Sequence, residues 1–236
     1  MPEQTSVTTR LLKLLLPPLI PILCLCTCLR LEMNSPRLYT QGFDRYDISA
    51  ATGLSTEQLN AVATRLIRYF NSLDATPQMQ LEFSAGRTSD LFHDYEVIHL
   101  ADVKHLFAFN SGLQSLALLL VVILCAAGLS SGRRLEVAAA LRSGALITLV
   151  LLAVTATLFA SDFDWMFIGF HLVAFDNSFW QLNPLTDYLV VLFPWGFWQD
   201  MSLLAGVATG VMAGTIGMAA RLLRRGCTSA PHVQQT

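Results

Sequence analysis

Apolar residues gather into four long runs, at about 11–29, 107–129, 141–160 and 201–222, with polar positions collected between them. A helix that crosses a bilayer needs roughly 20 mainly apolar residues, so each run predicts one membrane-spanning helix. Between the first two runs the period shortens. Leu59, Val62, Ala63, Leu66, Ile67 and Phe70 recur at three- and four-residue steps, opposed by Asn60, Thr64, Arg65 and Arg68. That is the pattern of an amphipathic helix, and its one apolar face suits a helix lying flat on the membrane or, the favoured reading, covering the top of the bundle. Ser55, with Gln58 three residues on, marks its start as a capping box, because each side chain can satisfy the other's free backbone amide. Residues 39–47 read as extended or looped, and residues 76–88 as a turn or short hairpin around Pro77 and Gly86. From about Asp90 a helix runs unbroken into the second span. Residues 187–193 are apolar but short, suiting a re-entrant or interfacial helix stopped by Pro194. The predicted fold is an all-α integral membrane protein with four transmembrane helices and two extracytoplasmic, largely helical segments capping the bundle. Its parts are 1–30, 31–106, 107–160, 161–200 and 201–236.

Composition strengthens this reading. Hydrophobic residues make up 53% of the chain and charged residues 14%, with mean hydropathy +0.51, which excludes an ordinary soluble domain. The first run could be a cleaved signal peptide, but it ends Cys24-Leu25-Cys26-Thr27-Cys28 without a small-x-small cleavage site, so it reads as an anchor. Pro17, Pro18 and Pro21 are expected to bend it. The fourth run is rich in Gly and Ala, which fits either close helix packing or a merely diluted helix. Lys and Arg flank the chain ends and the short connection between the second and third runs. Residues 30–106 hold ten acids against seven bases, and 161–200 five acids and no base. Basic residues favour the cytoplasmic side, so both termini are expected there and both long segments outside. No cysteine lies in those two segments, so no disulfide holds them. Nucleic-acid binding is not expected, because no basic patch or phosphate-cradling glycine loop is present.

The candidate chemistry lies in the two long segments. Glu96, His99 and Asp102 recur every three residues on the helix leading into the second span, so they share an arc of about 120°. Carboxylates one turn either side of an imidazole can hold its tautomer. His99 stands about eight residues, or ~12 Å at the helical rise, above the apolar run, a depth at which inward-facing polar groups are functional candidates. The second segment holds every tryptophan of the chain, and within it His171 has Asp176, Asn177 and Asp187 nearby. Two rival readings use the same residues. One is a metal-dependent hydrolase with His99, Asp102 and His171 as ligands and Glu96 as base, although no His-Glu-x-x-His spacing supports it. The other is a lipid-binding or assembly protein without catalysis, whose aromatic belt only anchors it.

These motifs also resemble a known family. Leu54-Ser55-x-Glu57-x-Leu59 leading to Tyr69-Phe70, then Glu96-x-x-His99-x-x-Asp102-Val103-Lys104, look like its first outward segment. His171-x-x-x-Phe175-x-Asn177-x-x-Trp180, Pro184-x-x-Asp187 and Phe193-Pro194-x-x-Phe197-Trp198 look like its second. In order and spacing, from about Leu38 to Asp200, the chain is similar to the bacterial four-span proteins that include the lipoprotein intramolecular transacylase (Lit). The resemblance implies transfer of the sn-2 acyl chain of a diacylglyceryl-cysteine lipoprotein to the α-amine of that cysteine, with no metal or other cofactor. It implies catalytic roles for His99 and His171. Glu96, Asp102, Asn177 and Asp187 are the expected supporting residues, and Tyr95, Phe175 and Trp180 the expected substrate contacts. His99 is the expected base, with Glu96 or Asp102 orienting it, although the reverse assignment of the two imidazoles fits the sequence equally. The implied partners are a diacylated lipoprotein N-terminus and membrane lipid.

Overall fold

The structure is a computed structural model, and it describes residues 7–83 and 87–225. It contains nine helices among the described residues: α1 (Val7–Met33), α2 (Pro36–Arg45), α3 (Ile48–Thr52), α4 (Thr56–Phe70), α5 (Asp94–Ser130), α6 (Arg134–Ser161), α7 (Phe163–Ala174), α8 (Tyr188–Leu192) and α9 (Trp195–Arg225). Strands β1 (Gln80–Phe83) and β2 (Arg87–Asp90) form one antiparallel pair, with Leu81 opposite Ser89. Four helices, α1, α5, α6 and α9, are long and apolar enough to cross a membrane, and they coincide with the four apolar runs. The chain divides into two compact units, Met1–Cys28, Gly112–Thr157 and Ala205–Thr236 in the first, Leu29–Ser111 and Leu158–Leu204 in the second.

In the first unit, Leu12, Leu16, Ile20, Cys24, Val137, Ala140 and Ala213 form one buried cluster. Helix α1 continues through Pro17, Pro18 and Pro21 as a single element. The close approaches that need a missing side chain lie at Gly128 and Gly144. A Cβ on Gly144 would stand 2.9 Å from the Pro17 carbonyl oxygen and 2.7 Å from Cβ of Ile20. In α9, by contrast, a Cβ on Gly206 or Gly214 would meet nothing within 4 Å, and those on Gly210 and Gly217 would make only ordinary contacts. In this unit the glycines that permit tight helix packing are therefore in α5 and α6, and Gly206, Gly210, Gly214 and Gly217 of α9 dilute the helix.

The second unit is built on a larger core that includes Tyr39, Phe43, Leu59, Leu66, Tyr69, Leu100, Leu192, Phe193 and Phe197. The capping box at α4 forms as the sequence predicts: Ser55 accepts from the Gln58 amide and Gln58 accepts from that of Ser55. Two expectations fail. Residues 39–47 are not extended; Pro36, placed in the first turn where its missing N–H costs nothing, starts α2, which buries Tyr39, Gly42 and Phe43. The helix ends at Arg45, and Asp47 takes a left-handed backbone (φ 52°) that turns the chain into α3. Residues 187–193 do not form an interfacial helix, since Leu189, Leu192 and Phe193 lie inside the core. A short apolar stretch is compatible with either burial or lipid, and periodicity alone does not separate them. Arg65 fixes the connection after α4 by pairing with Asp74 at 2.8 Å and donating to the Thr76 carbonyl.

Replacing Gly144 by Val forces overpacking, expected to cost about 1–3 kcal/mol. Thermal unfolding in detergent should therefore fall clearly for G144V and stay near wild type for G214V.

Candidate active site

His99 and His171 come from different elements. Helix α5 carries Glu96 and His99 on its buried side, at 0% and 7% exposure, while Tyr95 and Ile98 on the same turns are open. Helix α7 carries His171 near its end, at 8% exposure. The two imidazole centroids stand 6.1 Å apart with their planes inclined by 32°. Phe175 lies against both, 5.0 Å from the His99 ring and 5.5 Å from that of His171. Trp180 (4.9 Å) and Phe167 (4.2 Å) complete the aromatic surroundings of His171.

The hydrogen bonds distinguish the two rings. Nδ1 of His171 lies 2.7 Å from the Phe167 carbonyl oxygen. A carbonyl only accepts, so Nδ1 carries the hydrogen, and in the neutral ring Nε2 keeps its lone pair. Burial pushes the His171 pKa below the ordinary imidazole value, against the opposing pull of that carbonyl bond. His99 differs: its Nδ1 is buried with no hydrogen-bond partner among the described residues.

The supporting residues fall into two groups. Asp102 Oδ2 accepts from Asn177 Nδ2 at 2.8 Å, and Asn177 Oδ1 accepts from the Phe179 amide at 3.0 Å. This joins α5 to the loop after α7 and sets the path of the chain between Phe175 and Trp180. Glu96 and Asp187 form the second group. Glu96 Oε1 accepts from the Leu189 amide and Oε2 from the His93 amide, both at 2.7 Å, with His93 Nδ1 2.9 Å from the same Oε2. Asp187 accepts from the Tyr95 hydroxyl, from Thr186 Oγ1 and from the Asn183 amide. Burial would raise the Asp187 pKa, but the bonds from Tyr95, Asn183 and Thr186, with His93 nearby, outweigh it and hold the carboxyl below its usual range. Neither Glu96 nor Asp102 hydrogen-bonds His99, so the spacing of three places them on one side of α5 without pairing them with its imidazole. Tyr95 likewise stacks on His93, with ring centroids 5.3 Å apart, and belongs to the Asp187 group. His93 is a site neighbour that the histidine motifs do not mark. Its signal in the sequence is Glu96 three residues later, the spacing by which a first-turn glutamate caps the helix start.

Among the described residues, the group with metal-ligand geometry is His93, Glu96 and Asp187, whose donor atoms lie within 4.8 Å of one another. All four carboxylate oxygens there already take hydrogen bonds, which accounts for the cluster as a fastening between α5 and residues 183–189. His99, Asp102 and His171 do not form such a group.

The fold has counterparts among solved structures. The membrane-integral lipoprotein intramolecular transacylase Lit from Bacillus cereus superposes with a TM-score of 0.81 at 17% identity, over 94% of this chain and 98% of that one. A histidine-to-arginine variant of that protein matches at 0.75, with 17% identity and 93% of each chain covered. A histidine-to-alanine variant matches at 0.76, with 16% identity over 94% and 96%. No curated protein sequence matches the chain. The profile of the family described as lipoprotein intramolecular transacylase Lit matches residues 14–198, which takes in all four apolar helices at least in part and both histidines. On that match, the chain belongs to the lipoprotein intramolecular transacylase (Lit) family of membrane enzymes.

Proposed function

We propose that this protein moves the sn-2 acyl chain of a diacylglyceryl-cysteine lipoprotein onto the α-amine of the same cysteine, leaving a lyso-form lipoprotein. The observation that carries this reading is the meeting of two buried imidazoles, more than seventy residues apart in sequence, 6.1 Å from each other among aromatic rings. On the distribution of Lys and Arg, the site faces the extracytoplasmic side.

An α-amine has a pKa of about 7.7–8.0, so at neutral pH it must shed a proton before it can attack. His171 suits the base, because Phe167 holds its Nδ1–H and its Nε2 is the acceptor. The amine nitrogen attacks the sn-2 ester carbonyl, the C–N bond forms, and the carbonyl electron pair moves onto oxygen. When this tetrahedral intermediate collapses, the nitrogen gives up a second proton and the bond from the acyl carbon to the glycerol oxygen breaks. That oxygen takes up one of the two protons through an imidazole, and the other is released to solvent. The products are an amide and a glycerol hydroxyl, so no water and no second acyl donor are consumed. His99 suits the role of donor to the oxyanion or to the departing oxygen, and one well-placed donor is worth roughly 2.7–4 kcal/mol. Amine and ester belong to one molecule, so holding them in contact supplies much of the acceleration. Phe175 and Trp180, against the two rings, are the acyl contacts. Tyr95, Glu96, Asp102, Asn177 and Asp187 act by position.

Acid–base catalysis of this kind contributes about 10²–10⁴-fold. His99→Ala and His171→Ala should each lower lyso-form production by that order, read by mass spectrometry of lipoprotein N-termini, and full production by both variants would remove the mechanism. Asp187→Asn should act mainly on the fold. It replaces one acceptor oxygen of the buried Asp187 carboxylate, which takes bonds from Tyr95, Thr186 and the Asn183 amide, with an expected cost of about 1–3 kcal/mol in unfolding free energy, and activity below the transition should exceed that of His171→Ala. The pKa of His171 is checked by NMR titration of its ring. Because burial disfavours the charged form, stability associated with neutral His171 is lost as pH falls below about 6.5, the ordinary imidazole value. The titration midpoint should lie below that value, and a midpoint at or above it would contradict the assignment.

A further inference from the structure

Helix α7 is apolar almost all round, and most of that surface is open. Trp165 is 66% exposed, Ile168 45%, Phe170 55%, Leu172 65% and Val173 90%. At 12 residues it is about 18 Å long, well short of the ~30 Å hydrocarbon thickness, so it cannot cross. A helix that is apolar on every face belongs in a core or in lipid, and these side chains are not in a core. We propose that α7 lies within the bilayer leaflet at the C-terminal end of α6, and that its outer surface is covered by lipid acyl chains.

Three observations select acyl chains over a protein partner or charged headgroups. First, α7 starts only two residues after α6, a helix apolar and long enough to span, and Leu158 near the end of α6 is itself 44% exposed. The open apolar surface of the span therefore continues along the chain into α7. Second, no Lys or Arg occurs anywhere from residue 143 to residue 220. Attraction to anionic lipid needs basic residues, so this contact rests on apolar burial alone. Third, apart from the buried His171, polarity is confined to the start of the helix. Asp162 caps it by accepting from the Trp165 amide at 2.9 Å, and Asp164 follows in the first turn. Two acids at one end with apolar residues beyond them fit a helix entering the leaflet at the polar boundary. One consequence rests on the acyl-transfer reading: His171, in the last turn of α7, meets the ester of a lipid-anchored substrate without the substrate leaving the leaflet.

The test reads position and not activity, so it can fail while the transacylase reading stands. A nitroxide is attached to V173C in the full chain, in phosphatidylcholine vesicles, and the signal of labelled protein lacking that cysteine is subtracted. Collision with oxygen relative to a water-soluble nickel complex is then measured, with L149C on α6 as the hydrocarbon reference and E57C at the start of α4 as the water reference. The ratio at 173 should match that at 149 and exceed that at 57 several-fold, and adding phosphatidylglycerol should leave it unchanged. A ratio equal to that at 57, or lipid contact that needs phosphatidylglycerol, would overturn the proposal. Photolabelling of the unmodified protein by a lipid-soluble diazirine covers the case in which a cysteine variant misfolds. Label on the peptide bearing Phe170, Leu172 and Val173 supports the proposal, and its absence there while α6 is labelled refutes it.

Discussion

The arrangement around His99 depends on one fully buried carboxylate. Glu96 has no solvent exposure, and both its oxygens take backbone amides, that of His93 at the start of α5 and that of Leu189 in α8. A buried charge is tolerable only when it is fully hydrogen-bonded, and a buried amide left without its acceptor costs about 1–3 kcal/mol. The bond therefore works in both directions. It caps the helix that carries His99 one turn later, and it fixes the start of the segment that runs through Leu192 and Phe193 into the core. Asp187 reinforces the same junction through Tyr95, and Asp102 holds Asn177 from the next turn of α5. Three carboxylates are thus spent on geometry, and both imidazoles are left without an acidic hydrogen-bond partner.

That outcome separates what the sequence could and could not convey. Four spans were legible because roughly 20 apolar residues in a row have few alternatives. The capping box at Ser55 and the face of α4 were legible because both are local patterns with fixed spacing. The pairing of 80–83 with 87–90 fits the turn or short hairpin expected over 76–88. Helix α2 was not, since Tyr39, Gly42 and Phe43 give too brief a period to set against Thr40, Gln41 and Asp44. Helix α7 was hidden differently: a segment apolar on every side shows no periodicity to read.

At the site, the two histidines and their acidic and aromatic neighbours were identifiable, and the partnerships were not. Equal spacing of Glu96, His99 and Asp102 puts them along one side of the helix, but where each side chain finds a partner depends on Leu189 and Asn177, which are over seventy residues away. The proposed base shifts from His99 to His171 for the same reason. Its bond to the Phe167 carbonyl exists only because α7 is helical and places residue 167 one turn below. Burial against aromatic rings pushes the His171 pKa below the ordinary imidazole value, which suits the base proposed for an α-amine.

The central claim is that the acyl chain moves within one molecule, and a labelled substrate tests it most directly. A synthetic diacylated lipopeptide carrying isotope only in its sn-2 chain is incubated with the purified protein and excess unlabelled phospholipid, and the product is fragmented by mass spectrometry. The account predicts that the isotope reappears wholly as the amide on the cysteine nitrogen, with a free hydroxyl at sn-2. Isotope released as fatty acid, or an amide bearing an unlabelled chain, would contradict it.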